Sequence, residues 1–174
     1  QKFNIKMKKF IIAFLCLLGI GMSANAATET ATFTGWPTLF GVTQDGTKSV
    51  SQNAVNWNGV SSGVTLNVTN GTSTNSFLKA EDFRAYNGYT LTFTAPSECN
   101  IKSIVTTVGG KTFNSGIASD SGSISIQSGN VTWTGDASSV VWSISGTVSF
   151  KTITVTYEED SGLLPAGLAF SETT

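Results

Sequence analysis

Histidine is absent from all 174 residues, and charged side chains make up only 12% of the chain. Without an imidazole there can be no Ser-His-Asp or Cys-His catalytic site, no zinc site that uses histidine and no histidine pH switch. The formal net charge is −1, so the basic footprint of a nucleic-acid binder is missing and no such partner is expected. Apolar runs are short as well. The longest, Phe10 to Ile20, falls well below the roughly 20 residues that cross a bilayer.

That run has a different use. Lys8 and Lys9 precede it, and Ala24-Asn25-Ala26 follows as a small-x-small cleavage site, so residues 1–26 read as upstream residues plus a secretion signal. Met7 is the expected start, and Ala27 the expected first residue of the exported chain. A lipoprotein signal is disfavoured because bulky Leu15, not a small residue, precedes Cys16. Cleavage removes four of the ten basic residues and leaves six against eleven acids, a balance of −5. It also leaves Cys99 alone, so no internal disulfide can form in an oxidising compartment.

What remains is rich in Ser, Thr, Val and Ile, and no stretch sustains a 3.6-residue apolar period. Period-two alternation recurs at Val64–Val68, Tyr89–Phe93, Ser123–Ile126, Val131–Trp133 and Val140–Ile144. Threonine or serine lies on one side and an apolar residue on the other, the signature of antiparallel strands with one wet face. The fold class is therefore an all-β antiparallel sandwich, jelly-roll-like, over residues 27–157. A bulged hairpin over Glu81–Phe93 is expected, pairing Ala85 with Tyr89, Phe83 with Leu91 and Arg84 with Thr90, with Tyr86 at its tip. Residues 158–174 open on Glu158-Glu159-Asp160-Ser161-Gly162 and then turn apolar again. They read as a linker and the start of a second module cut short, with further domains beyond.

The chain also repeats itself. Leu91–Thr107 aligns without gaps to Val140–Thr156, with Phe93 on Trp142, Ile101 on Phe150, Lys102 on Lys151 and Ile104 on Ile153. In both copies two apolar residues stand three apart around a lysine. Strict alternation cannot put both inside, which predicts a bulge near each lysine. Cys99 aligns with Val148, so a small buried hydrophobe is expected there rather than a nucleophile, which would need a base beside it.

Phe83-Arg84-Ala85-Tyr86-Asn87-Gly88-Tyr89-Thr90-Leu91-Thr92-Phe93, with Ile101-Lys102-Ser103-Ile104 after it, resembles secreted β-sandwich modules of the Bacteroidota. The close of the pattern, Trp133-Thr134-Gly135 through Ile153 to Tyr157, is similar to the end of such a module. The tail Ala166-Gly167-Leu168-Ala169-Phe170-Ser171 looks like the opening of a bacterial immunoglobulin-like repeat. The resemblance implies extracellular binding, adhesion or spacing, on the surface or in the exported fraction of a Gram-negative cell. It brings no catalytic residues with it.

Carboxylates are the remaining acid–base candidates, but adjacent Glu81 and Asp82 on a strand would face opposite ways and cannot flank one bond. Assembling Asp45, Glu98, Asp120 and Asp136 into a glycoside hydrolase has no support in their spacing. No enzyme, cofactor or metal is assigned, since Asp45 and Asp120 read as turn residues and no spaced acidic loop for calcium appears. Aromatic residues point to ligand binding, because ring faces stack on sugars. Parity puts Trp133 and Trp142 in the core. Trp36, Trp57, Arg84 and Tyr86 form the candidate set for a glycan or host-surface ligand, while the competing view has Trp36 and Trp57 plugging the open ends of the sandwich. The function expected is a carbohydrate-binding or adhesion-like accessory module without membrane insertion. A purely structural spacer is the alternative.

Overall fold

The computed structural model describes residues 27–110 and 116–160. The leader and the tail assigned to a second module lie outside the described residues. Period-two patterning becomes strand almost throughout: 62% of the described residues are strand and 4% helix, in two antiparallel sheets packed together. The all-β sandwich is the fold.

The chain runs from β1 (Thr28–Phe33) through a short helix α1 (Trp36–Phe40) to β2 (Gly46–Ser49), β3 (Asn56–Ser61), β4 (Val64–Thr69) and β5 (Asn75–Lys79). It continues with β6 (Asp82–Ala85), β7 (Thr90–Thr94), β8 (Cys99–Val108), β9 (Ile117–Ser119) and β10 (Ser123–Gln127). β11 (Asn130–Ala137), β12 (Ser139–Ile144) and β13 (Val148–Glu159) close it. The larger sheet has the order β10-β11-β8-β13-β6-β5-β2, and the smaller β3-β4-β7-β12-β9. β13 is the spine of the larger sheet. β8 bonds along one of its edges, while β6 takes Val148–Phe150 and β1 takes Ile153–Glu158 on the other. The strand includes Glu158 and Glu159, so the acidic break begins later than the sequence suggested.

Inward residues of both sheets meet in one core, in which Trp142 lies 5.1 Å from Phe93 and 6.5 Å from Phe150 between ring centroids. Trp133 and Trp142 are fully buried, as parity requires. α1 is confined to its five residues by left-handed glycines at both ends, Gly35 and Gly41, each with φ of 63°.

The hairpin expected over residues 81–93 does not form. β6 pairs with β5 and β13, whereas β7 lies in the other sheet between β4 and β12. Tyr86-Asn87-Gly88-Tyr89 is a β-turn that carries the chain across the sandwich. Its Tyr89 N–H donates to the Tyr86 carbonyl at 2.9 Å, and Gly88 takes the positive φ of 91° that the third residue of a type II turn needs. The parity behind the expectation holds, since Phe83, Ala85, Leu91 and Phe93 are all buried. Two strands that face each other across a core obey the same parity as two that pair.

The repeat is a real symmetry of the fold. β7 pairs antiparallel with β12, and β8 with β13, so the two copies are related by a pseudo-two-fold axis. The axis crosses the smaller sheet at the Thr92–Val141 rung and the larger at the Val105–Thr154 rung. Both predicted bulges are present, and each lysine is itself the extra residue. The register slips once between Phe150 and Thr152 and once between Ser103 and Ile101, opposite Thr156 and Tyr157.

Candidate functional site

The four residues singled out for binding divide into two pairs. Trp36 and Trp57 turn inward, which overturns their candidacy as a stacking platform: Trp36 has no exposed surface and Trp57 keeps 8%. Phe40 stacks on Trp57 at 5.4 Å and on Trp36 at 5.9 Å, and Phe83 closes the cluster from the opposite side. Trp36 Nε1 donates to the Phe150 carbonyl at 3.1 Å. The cause is α1, which lies across β3 over Gly59. A Cβ there would come within 2.7 Å of Leu39 Cγ. Asn56 and Asn58, which flank Trp57, are the exposed positions of an ordinary alternating strand.

Arg84 and Tyr86 do come together. Both Nε and Nη2 of Arg84 donate to Asp82 Oδ2, at 3.1 and 2.8 Å, and the guanidinium carbon sits 3.7 Å above the centroid of the Phe77 ring. Ser149 Oγ donates to the other Asp82 oxygen, and Gly109 and Gly110 pack so closely on this carboxylate that a Cβ would stand 2.5 or 2.6 Å from it. Half-buried Tyr86 adjoins the guanidinium. Burial pushes its phenol up, and Arg84 pulls the other way. The result is a guanidinium fixed in plane by an ion pair and a ring, with 19% of the side chain exposed. It can donate to a polar ligand only at its edge.

The outer face of the larger sheet is broader. One rung aligns Thr30, Thr156, Ser103, Thr134 and Ser123 across five strands. The next aligns Thr32, Thr154, Val105, Thr132 and Ser125. At the usual strand separation of about 4.8 Å these rows extend for about 19 Å. A shallow depression of about 490 Å³ lies at one side, lined by Val105, Ser125, Gln127, Ser128, Asn130 and Thr132. Val105 is 40% exposed, the one large apolar side chain in that lining. Neither row contains a charge. Sequence alternation marks each threonine as outward, but only the register shows that strands from both ends of the chain align them.

Two of the scattered carboxylates have structural partners. Asp120 Oδ1 accepts from the Val141 N–H at 2.9 Å, and Asp136 pairs with Lys102 at 2.9 Å, an ammonium that holds its carboxyl below the usual range. Among the described residues no group of three or more His, Cys, Asp or Glu is arranged to hold a metal ion. Cys99 departs from the buried hydrophobe expected of it and is only partly covered. Its repeat partner Val148 lies deep in the sheet, while Cys99 opens β8 at the end where the chain enters and leaves. Burial and then the charges of Glu159, Glu29 and Glu98 raise its thiol pKa, which disfavours the nucleophilic thiolate.

One organising residue has no counterpart among the sequence candidates. Asn70, fully buried, accepts from the Val55 N–H at 3.1 Å and donates to the carbonyls of Ser51 and Ser73 at 3.3 and 2.6 Å. An Asn-Gly pair between two alternating runs is its only trace in the sequence. No helix among the described residues is long and apolar enough to cross a membrane. No protein-family model, no curated protein and no solved structure matches the chain.

Proposed function

We propose that this chain is a non-enzymatic accessory module of an exported or cell-surface protein, and that it binds carbohydrate through the outer face of its larger sheet. The observation that carries this reading is the uncharged rung of hydroxyls running from Thr30 to Ser123 over five strands. Hydroxyl groups both donate and accept, as sugar hydroxyls do, and rows without charge lose little on partial desolvation. Contacts of this kind are shared with water. Binding is therefore weak at a single site and useful when many sugars or many modules are presented together. The fixed Arg84 beside Tyr86 supplies a directional donor on the same sheet.

The spacer alternative is disfavoured by geometry. Thr28 pairs with Glu158, so the described chain enters and leaves at one end of the sandwich. An in-line spacer would pass it from one end to the other.

Affinity electrophoresis of the exported chain through gels containing neutral polysaccharides tests the proposal. Retardation by at least one polysaccharide is expected, and it disappears in the double variant Thr134→Lys, Thr156→Lys while the melting temperature stays within a few degrees. Unretarded migration of the wild type on every polysaccharide, or retardation unchanged in the double variant, overturns it.

A further inference from the structure

The end of the sandwich where the chain enters contains a cavity of about 250 Å³, whose wall includes Ala27, Glu29, Ser62, Cys99, Tyr157 and Glu159. β1 and β13 pair with Thr28 opposite Glu158. Ala27, one residue before this rung, and Glu159, one residue after it, line the same cavity, and Glu159 pairs with Cys99 on its other side. Glu29 points to the same region, where its Oε2 accepts from the Tyr157 hydroxyl at 2.8 Å. The cleavage motif Ala24-Asn25-Ala26 immediately precedes Ala27, which itself precedes the first residue of β1.

We propose that removal of the leader completes this end of the fold: the ammonium created on Ala27 is received by the carboxylates of Glu29 and Glu159. The inference rests on the export reading. Hydrolysis breaks the Ala26–Ala27 C–N bond. Water supplies the oxygen of the new Ala26 carboxylate, and the Ala27 nitrogen leaves as an amine and takes up a proton. Before cleavage that nitrogen is a neutral amide, and the end carries an excess of negative charge. Glu29 comes from β1, Glu98 from the β7–β8 turn, and Glu158, Glu159 and Asp160 from β13 and its end. Of the titratable groups, Glu29, Glu159, Cys99 and Tyr157 line the cavity. Lys102, which feels the charges of Glu158 and Asp160, is itself engaged by Asp136 at 2.9 Å. Cleavage thus delivers a positive charge beside two carboxylates that line the same cavity.

The sign of the effect follows. Nearby carboxylates favour the charged form of an amine, so the folded α-amino group titrates above the ordinary value of about 7.7–8.0. Its contribution to stability is present at neutral pH and is lost as the pH rises through the folded value. The high position of the Cys99 thiol, raised by burial and by the same carboxylates, agrees with an end of this polarity.

The full chain, exported from a Gram-negative host, is first weighed intact, since a mature mass beginning anywhere other than Ala27 overturns the export reading itself. With that mass in hand, the α-amine of the folded protein is carbamylated with cyanate across pH 6 to 10. A midpoint about one unit above that of the guanidinium-unfolded chain is expected, which slows the reaction about tenfold at pH 7. The double variant Glu29→Gln, Glu159→Gln is expected to bring the midpoint back. A wild-type midpoint equal to that of the unfolded chain overturns the proposal, and so does a raised midpoint that persists in a folded double variant. If that variant does not fold, Glu159→Gln alone is read in the same way.

Discussion

Asn70 commits its side-chain amide to three backbone groups from two connecting segments, and it does so with no exposure to water. Truncation therefore strands several polar groups at once. Asn70→Ala is expected to cost about 3 kcal/mol in chemical denaturation, more than loss of one ordinary hydrogen bond. The buried tryptophans differ in the same currency. Trp36 Nε1 has a carbonyl partner, whereas Trp142 Nε1 is buried without one among the described residues. Trp36→Phe should then destabilise the fold more than Trp142→Phe, by about 1 kcal/mol when the two melting curves are compared. Tyr157 adds a pH dependence. Its hydrogen bond to Glu29 and its burial push the phenol from 10.0 up to about 12. The folded state holds that proton more tightly than the unfolded chain, so the contribution is complete below about pH 10 and is lost as the pH rises towards 12. Melting temperatures between pH 9 and 12 should fall less steeply in Tyr157→Phe. Some decline remains, because burial raises Tyr89 in the same direction.

Elements show why some of this architecture was legible and some was not. Two lysines in matching positions announced two bulges, because spacing of three between Ile101 and Ile104, and between Phe150 and Ile153, conflicts with a period of two. The conflict is local, so a sequence can display it. Partnership is not local. Phe83 and Leu91 obey one parity whether they pair or face each other across the core, and the connection from β6 to β7 took the second option. Trp57 misled for a related reason, since polar neighbours that suggested a loop are the outward half of β3. Cys99 was misplaced because alignment with Val148 transfers a strand position but not its depth. The bulges themselves can be tested. Lys151→Ala removes only an exposed side chain and a 3.9 Å contact with Glu81, so less than about 0.5 kcal/mol is expected. Deleting Lys151 leaves Phe150 and Ile153 two apart, the spacing of a regular strand, so both keep their core face and cooperative unfolding, as followed by near-ultraviolet circular dichroism, should persist.

At the scale of the whole molecule, the two repeated units, β7 with β8 and β12 with β13, each place one strand in the centre of either sheet, and the unrepeated segments complete the edges and the plugged end. The hydroxyl rungs cross that centre, joining β1 at the start of the described chain to β10 and β11 near its far end, which is why no short motif reveals them. The same arrangement fixes how the module would behave under tension. A load applied between the outer face of the larger sheet and the C-terminal end of β13 pulls on a strand that is bonded along both edges over most of its length. Force would spread into β8, β6 and β1 together. A pull between the two chain ends would instead peel β1 from β13 one rung at a time, beginning at Thr28 and Glu158. The fold is thus strong as a terminal anchor and weak as a link in a chain.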